Sequence, residues 1–202
     1  VEKRGMEIME KAIQLAEDLG IRIIQLAGYD VYYEESSFET KKRFLKNLKK
    51  ATHMAEKAGV VLGFETMETE FMNTVEKAMK YTTLVDSPYL NVYPDIGNIT
   101  NAAIEYKNDV LEDMMIGKGH LCAMHLKETV PGKFREIPFG TGHVNFKEAI
   151  NLAWQLGIRK YVTEFWYVGN ENWKEDLVFA HDMFEKMLDE QMTGKDEKNV
   201  ES

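Results

Sequence analysis

The segment KKRFLKNLKKATHMAEKAGVVLGFE, residues 41–65, carries one full period of the chain's organisation. Its first part places Phe44, Leu45, Leu48, Ala51, Met54 and Ala55 on one helix face, and Gly59 stops it. The run after this glycine, 60–65 (VVLGFE), is apolar nearly throughout instead of alternating, as a strand buried on both faces of a parallel sheet reads. The helix–glycine–strand junction recurs as DLG-IRII around Gly20 and QLG-IRKYV around Gly157. Strand-type runs also occupy 21–27 (IRIIQLA), 90–95 (LNVYPD), 121–126 (LCAMHL) and 161–165 (YVTEF). Helical spacing covers 5–19, with Met6, Ile8, Met9, Ala12, Ile13, Leu15, Ala16 and Leu19, and returns over 146–156 and 173–188. This alternation predicts βα units, hence an α/β chain with a parallel sheet covered by helices. One domain is expected over 1–190, followed by a polar, disordered tail over 191–202.

Composition narrows the function classes. The 202 residues are 44% hydrophobic and 29% charged, with a formal net charge of −9. A surface this acidic argues against nucleic acid as a partner, because phosphate backbones need a positive footprint. No apolar run reaches the roughly 18 to 20 residues of a bilayer span, so a membrane role is not expected. The single cysteine, Cys122, fits a reducing cytoplasm and reads as a small core residue. The start, VEKR, has no apolar segment behind it and is not read as a signal peptide.

The chemistry sits where the strand runs end. Four successive runs reach Glu65, Asp95, His125 and Glu164, about one βα unit apart. In a barrel these carboxyl ends converge on one mouth, where the active sites of that architecture lie. A lone carboxylate at a strand end is as often a helix cap, and a lone histidine is more often a core residue; four in register point to a metal. Three carboxylates and an imidazole suit Mn²⁺, Mg²⁺, Zn²⁺ or Co²⁺. Such an ion can hold adjacent carbonyl and hydroxyl oxygens of a ketose and stabilise the enediolate formed on proton loss. Epimerisation then needs a base on one face of the carbon and an acid on the other, roles open to Glu65 and Glu164. Hydrolysis or aldol cleavage uses the same ligands. Arg135, in the loop after the His125 strand, reads equally as an oxygen or phosphate ligand and as a solvated charge. Lys127 faces outward or into the mouth; Tyr29, Asn73 and Asn98 follow strand ends and are candidates for the pocket lining. The GTGH turn at 140–143 reads as a tight turn without a ligand, His53 and His181 as surface or packing residues, and His120 as lying at the wrong end of its strand.

The segments GIRIIQLAGYDVYYEE, GFETMETEFMN, YPDIGNIT, AMHLKET, GKFREIPFGTGHVNF and TEFW, in this order, resemble the L-ribulose-5-phosphate 3-epimerase family, also called L-xylulose-5-phosphate 3-epimerases or hexulose-6-phosphate isomerase-like proteins. The resemblance runs over about residues 5–187 and implies a xylose-isomerase-like TIM (β/α)8 barrel. It implies 3-epimerisation of a ketopentose phosphate in carbohydrate catabolism, a divalent metal held by Glu65, Asp95, His125 and Glu164, and proton transfer by Glu65 and Glu164. It also implies that Arg135 binds substrate oxygen. Free-ketose epimerases carry a histidine near the position of Asn98, so a phosphorylated sugar is the expected small-molecule partner. A homodimer is the expected assembly. Five strand runs correspond to the last five of eight, so about three barrel strands are expected to be lacking. The alternatives are an aldose–ketose sugar-phosphate isomerase on the same barrel, an inactive barrel fragment, and a metal-dependent endonuclease, which the net charge disfavours.

Overall fold

The structure, a computed structural model, describes residues 2–193. Among these, seven helices and five strands alternate: α1 (Glu2–Leu19), β1 (Ile23–Ala27), α2 (Phe38–Ala58), β2 (Val61–Glu65), α3 (Val75–Val85), β3 (Leu90–Tyr93), α4 (Ile96–Tyr106), α5 (Val110–Ile116), β4 (Met124–Leu126), α6 (Phe146–Gln155), β5 (Tyr161–Thr163) and α7 (Trp173–Thr193). The strands lie side by side in sequence order, all parallel. β1–β2–β3 form one ladder and β4–β5 another; the bridges Val92↔Leu121 and Asp95↔His125 join them. The wall is continuous but thin at that seam.

Local chemistry sets the helix ends. Ser37 accepts from the Thr40 amide, the Thr40 hydroxyl accepts from the Ser37 amide, and this capping box starts α2. Gly59 at φ 67° ends it, a left-handed conformation that a Cβ would strain. Inside the wall, Leu48, Ala51 and Ala55 of α2 meet Leu62 and Phe64 of β2 and Leu90 and Val92 of β3 in one apolar core. A second core gathers Met124, Leu126, Ile150, Ile158, Phe139, Phe146 and Phe184 around β4.

Several boundaries differ from the sequence expectation. The runs 121–126 and 161–165 shorten to β4 and β5: Leu121 keeps only an isolated bridge to Val92, and Glu164 and Phe165 lie beyond the last ladder pair, Leu126–Thr163. α3, α4 and α5 have no counterpart among the expected helices. α4 contains Gly97, Asn98, Thr100 and Asn101, residues of low intrinsic helix preference, and it forms on an Asp95 cap and on burial of Ile96 and Ile99. α3 is held from outside by the buried Asp113 carboxylate, which accepts from the Val75 amide at 2.8 Å and the Glu76 amide at 3.0 Å. α7 continues through Thr193 past the expected start of the tail; the rest of that tail, 194–202, lies outside the described residues. Of the face expected on α1, Ile13 and Ala16 are buried, while Ile8, Leu15 and Leu19 face outward.

Candidate metal centre

All four strand-end residues meet. Single ligand atoms of Glu65, Asp95, His125 and Glu164 lie within 4.8 Å of one another. The register explains it: β-ladder pairing puts Ala27 beside Glu65 and Glu65 beside Tyr93, and the bridge puts Asp95 beside His125. His125 Nδ1 stands 2.8 Å from Glu65 Oε1, 2.8 Å from Glu164 Oε2 and 3.8 Å from Asp95 Oδ2. One ring N–H serves one acceptor, so three carboxylates around a single nitrogen is the spacing of a coordination shell more than of a hydrogen bond. Asp95 Oδ2 and Glu164 Oε2 are buried and accept no well-directed hydrogen bond. This oxygen-rich donor set with one imidazole fits a divalent cation.

Asp95 shows why the cap and ligand readings coexist. Its Oδ1 accepts from the Asn98 amide at 2.9 Å and starts α4, while Oδ2 faces the cluster. Lys127 points into the mouth, with Nζ 2.7 Å from Asp95 Oδ2 and 4.0 Å from Glu164 Oε1. Electrostatics follow from this crowding. Burial disfavours charge on His125, but the carboxylates of Asp95, Glu164 and Glu65 gathered around it outweigh burial and push the imidazole up to about 11. Burial raises the Glu65 carboxyl above its usual range, against the pull of His125. For Glu164 burial also pushes up, yet the close approach of His125 and the charge of Lys127 prevail and lower it.

The other expected residues divide. Arg135 reaches over the mouth: Nη2 donates to Tyr33 Oη at 2.9 Å and to Glu68 Oε1 at 3.0 Å, and the guanidinium lies 5.7 Å from the Trp166 ring centre. Lys127 Nζ stands 5.8 Å from the centre of the same indole. Tyr29 donates to Glu68 Oε2 at 2.7 Å, joining this rim. Asn98 is fully buried and donates from Nδ2 to Thr66 O at 2.8 Å, tying α4 to the end of β2. Asn73 pairs with Tyr106 at 3.0 Å and Lys77 at 2.7 Å, neither of them a cluster residue. Cys122 is half-buried, and burial pushes its thiol up to about 12, as a packing role requires.

Sequence reasoning passed over Gln25, Glu68, Glu128 and Trp166. Gln25 donates from Nε2 to Glu65 Oε2 and fixes that carboxylate from the neighbouring strand. Its signal was visible: one amide in the otherwise apolar run IIQLA. The GTGH turn wraps the buried Glu128, whose Oε2 accepts from the Gly140 amide at 3.0 Å.

Known proteins bear on this geometry. The chain is 43% identical over 183 residues to L-ribulose-5-phosphate 3-epimerase UlaE of Escherichia coli O17:K52:H18, and equally to that of Shigella sonnei. In both cases 90% of this chain matches 63% of the relative, so the chain spans under two thirds of the length of these curated relatives. Among solved structures, a D-tagatose 3-epimerase-like protein superposes with a TM-score of 0.79 at 18% identity, over 95% of this chain and 71% of the other. An L-ribulose 3-epimerase superposes at 0.73 and 18% identity, over 99% of this chain and 71% of the other. The family model described as xylose isomerase-like TIM barrel matches residues 1–183, every described strand and the four converging side chains included, and the chain belongs to that family.

Proposed function

We propose that the protein is part of a metal-dependent 3-epimerase of a ketopentose phosphate, with L-ribulose 5-phosphate and L-xylulose 5-phosphate as the interconverted pair. The observation that carries this reading is the convergence of Glu65, Asp95, His125 and Glu164 within 4.8 Å, each from a different strand end. Identity of 43% to L-ribulose-5-phosphate 3-epimerase UlaE supports the substrate class. Glu65, Asp95, His125 and Glu164 would hold the divalent cation, which supplies charge stabilisation for the oxygens of the enediolate. The chain's residues do the rest. Glu65 and Glu164 flank His125 from separate strands, so one removes the C3 proton and the other delivers a proton to the opposite face. Gln25 fixes the Glu65 carboxylate in place for that transfer. Arg135 over the mouth and Lys127 within it are the cations for the phosphorylated sugar, 5.7 and 5.8 Å from the Trp166 ring centre. A homodimer in the cytoplasm completes the proposal.

The test follows C3 hydrogen exchange of L-ribulose 5-phosphate in deuterated water with added Mn²⁺, Mg²⁺, Zn²⁺ or Co²⁺. Label at C3 with appearance of the epimer is the expected result. Glu65→Gln and Glu164→Gln should each abolish epimer formation, by a thousandfold or thereabouts, while circular dichroism stays unchanged. Near-native turnover in either variant removes the two-glutamate assignment. Formation of an aldose instead of an epimer replaces the reaction with aldose–ketose isomerisation.

A further inference from the structure

Glu128 is a buried carboxylate, 3% exposed, three residues after His125, and among the described residues no cation pairs with it within 4.0 Å. A buried charge is tolerated only when hydrogen bonds replace its water. Here backbone amides do so: Oε1 accepts from Thr129 at 3.2 Å and from Val144 at 3.2 Å, and Oε2 accepts from Gly140 at 3.0 Å. The carboxylate thus closes the loop 129–144 from inside. The loop is shaped to it. Gly140 takes φ 80°, and a Cβ on Gly142 would stand 2.2 Å from Glu128 Oε1 and 2.2 Å from Thr129 O. Side chain and loop therefore specify each other, a stricter relation than a surface turn needs.

The same loop carries Arg135. Its near side is pinned by Asn101, which accepts from the Gly132 amide at 3.0 Å. Its far side is pinned by Phe139, packed 5.5 Å from Phe165 and 5.0 Å from Phe184, and by the Glu128 clasp just beyond it. Between these pins Arg135 extends to Glu68, Tyr33 and the Trp166 face.

We propose that Glu128 is a positioning residue for Arg135: by clasping the amides of Gly140 and Val144 it sets the loop that holds the guanidinium over the mouth. The proposal rests on the epimerase reading for what Arg135 binds, but not for the clasp itself. Glutamine at 128 presents an NH2 to one of these N–H donors, so at least one amide loses its acceptor and the loop relaxes. Gly142→Ala keeps the carboxylate but drives a Cβ against Glu128 Oε1 and Thr129 O, so it opens the same clasp from the loop side.

Two measurements decide it. The first is phenylglyoxal modification of Arg135, located by peptide mass spectrometry and taken relative to Arg159 in the same molecule. Glu128→Gln and Gly142→Ala should each raise that ratio about threefold or more, as Arg135 leaves Glu68 and Tyr33. The second is C3 exchange of L-ribulose 5-phosphate, expected to fall about ten- to a hundredfold in each variant, since small misplacements cost rate on this scale. In an Arg135→Ala background neither substitution should lower the rate further. Should Glu128→Gln fail to fold, Gly142→Ala carries both readouts. An unchanged modification ratio, or a loss of rate that persists in full without Arg135, overturns the proposal. If the unsubstituted protein exchanges no C3 hydrogen, the epimerase reading falls and the modification ratio alone decides the role of Glu128.

Discussion

Asp95 divides its two oxygens between a helix and a cluster, and substitutions separate those tasks. Asparagine keeps an oxygen for the Asn98 amide but removes the charge that Oδ2 presents to the cluster and to buried Lys127, so Asp95→Asn should lower Mn²⁺ affinity about a hundredfold, read by calorimetric titration, and should also lower the melting temperature. Alanine removes both, and Asp95→Ala should in addition cost about 1 kcal/mol of unfolding free energy for the lost cap. At the rim, Glu68 links to pH. Burial would raise its carboxyl, but hydrogen bonds from Tyr33 and Tyr29 and the charge of Arg135 outweigh burial and hold it below the usual range. A carboxyl lowered on folding stabilises above its unfolded value, about 4.3, and that contribution is lost as pH falls through the lowered value. Urea midpoints between pH 3 and 6 should therefore fall less steeply in a Tyr29→Phe, Tyr33→Phe double variant. Glu65, Asp95, His125 and Glu164 were legible because polar residues stand out at the ends of apolar runs. Glu68 and Glu128 were not, since a charge in a loop reads as solvated until the fold covers it: Glu68 lies under Tyr33 and Arg135, distant in sequence, and Glu128 under the return of the loop that follows it.

Among the elements, the strands were legible and the central helices were not. The apolar runs at 21–27 and 60–65 name β1 and β2 closely, because burial on both faces leaves no polar alternation. α4 is hidden by its own composition: Gly97, Asn98 and Asn101 serve packing and polar ties that override helix preference. Gly97 is the sharp case. A Cβ there would stand 2.7 Å from Lys127 O and 2.8 Å from Thr129 Cγ2, so α4 and the exit of β4 touch through this glycine. Gly97→Ala should push them apart, costing about 1–3 kcal/mol in denaturant unfolding. It should also weaken Mn²⁺ binding, because Asp95 and His125 ride on the two separated elements. Unchanged affinity would show that the seam tolerates the shift.

For the whole molecule, sequential parallel order leaves β1 and β5 as the outer strands of the described wall. Apolar side chains stand exposed at both ends: Ile8, Leu15 and Leu19 on α1, and Val162 of β5 with Leu177, Val178 and Phe179 of α7. Unpaired strand edges beside apolar surface favour association. A polypeptide of these 202 residues, made by itself, should self-associate in light scattering, and a stable monomer would show that the edges are protected by other means. The α/β class and the convergence at one mouth were readable from the recurrence of helix, glycine and strand. The division into two ladders was not, because it depends on where the backbone bends between Tyr93 and Met124.

The four converging side chains are drawn from positions 30, 30 and 39 residues apart along the chain. No local stretch contains even two of them, and the last, Glu164, follows β5. A chain emerging from the ribosome therefore acquires its complete ligand set only when the fifth strand has docked. On the proposed metal reading, tight cation uptake would report the docking of β5, the last described strand to bring a ligand, and a radioactive or paramagnetic ion would time that step.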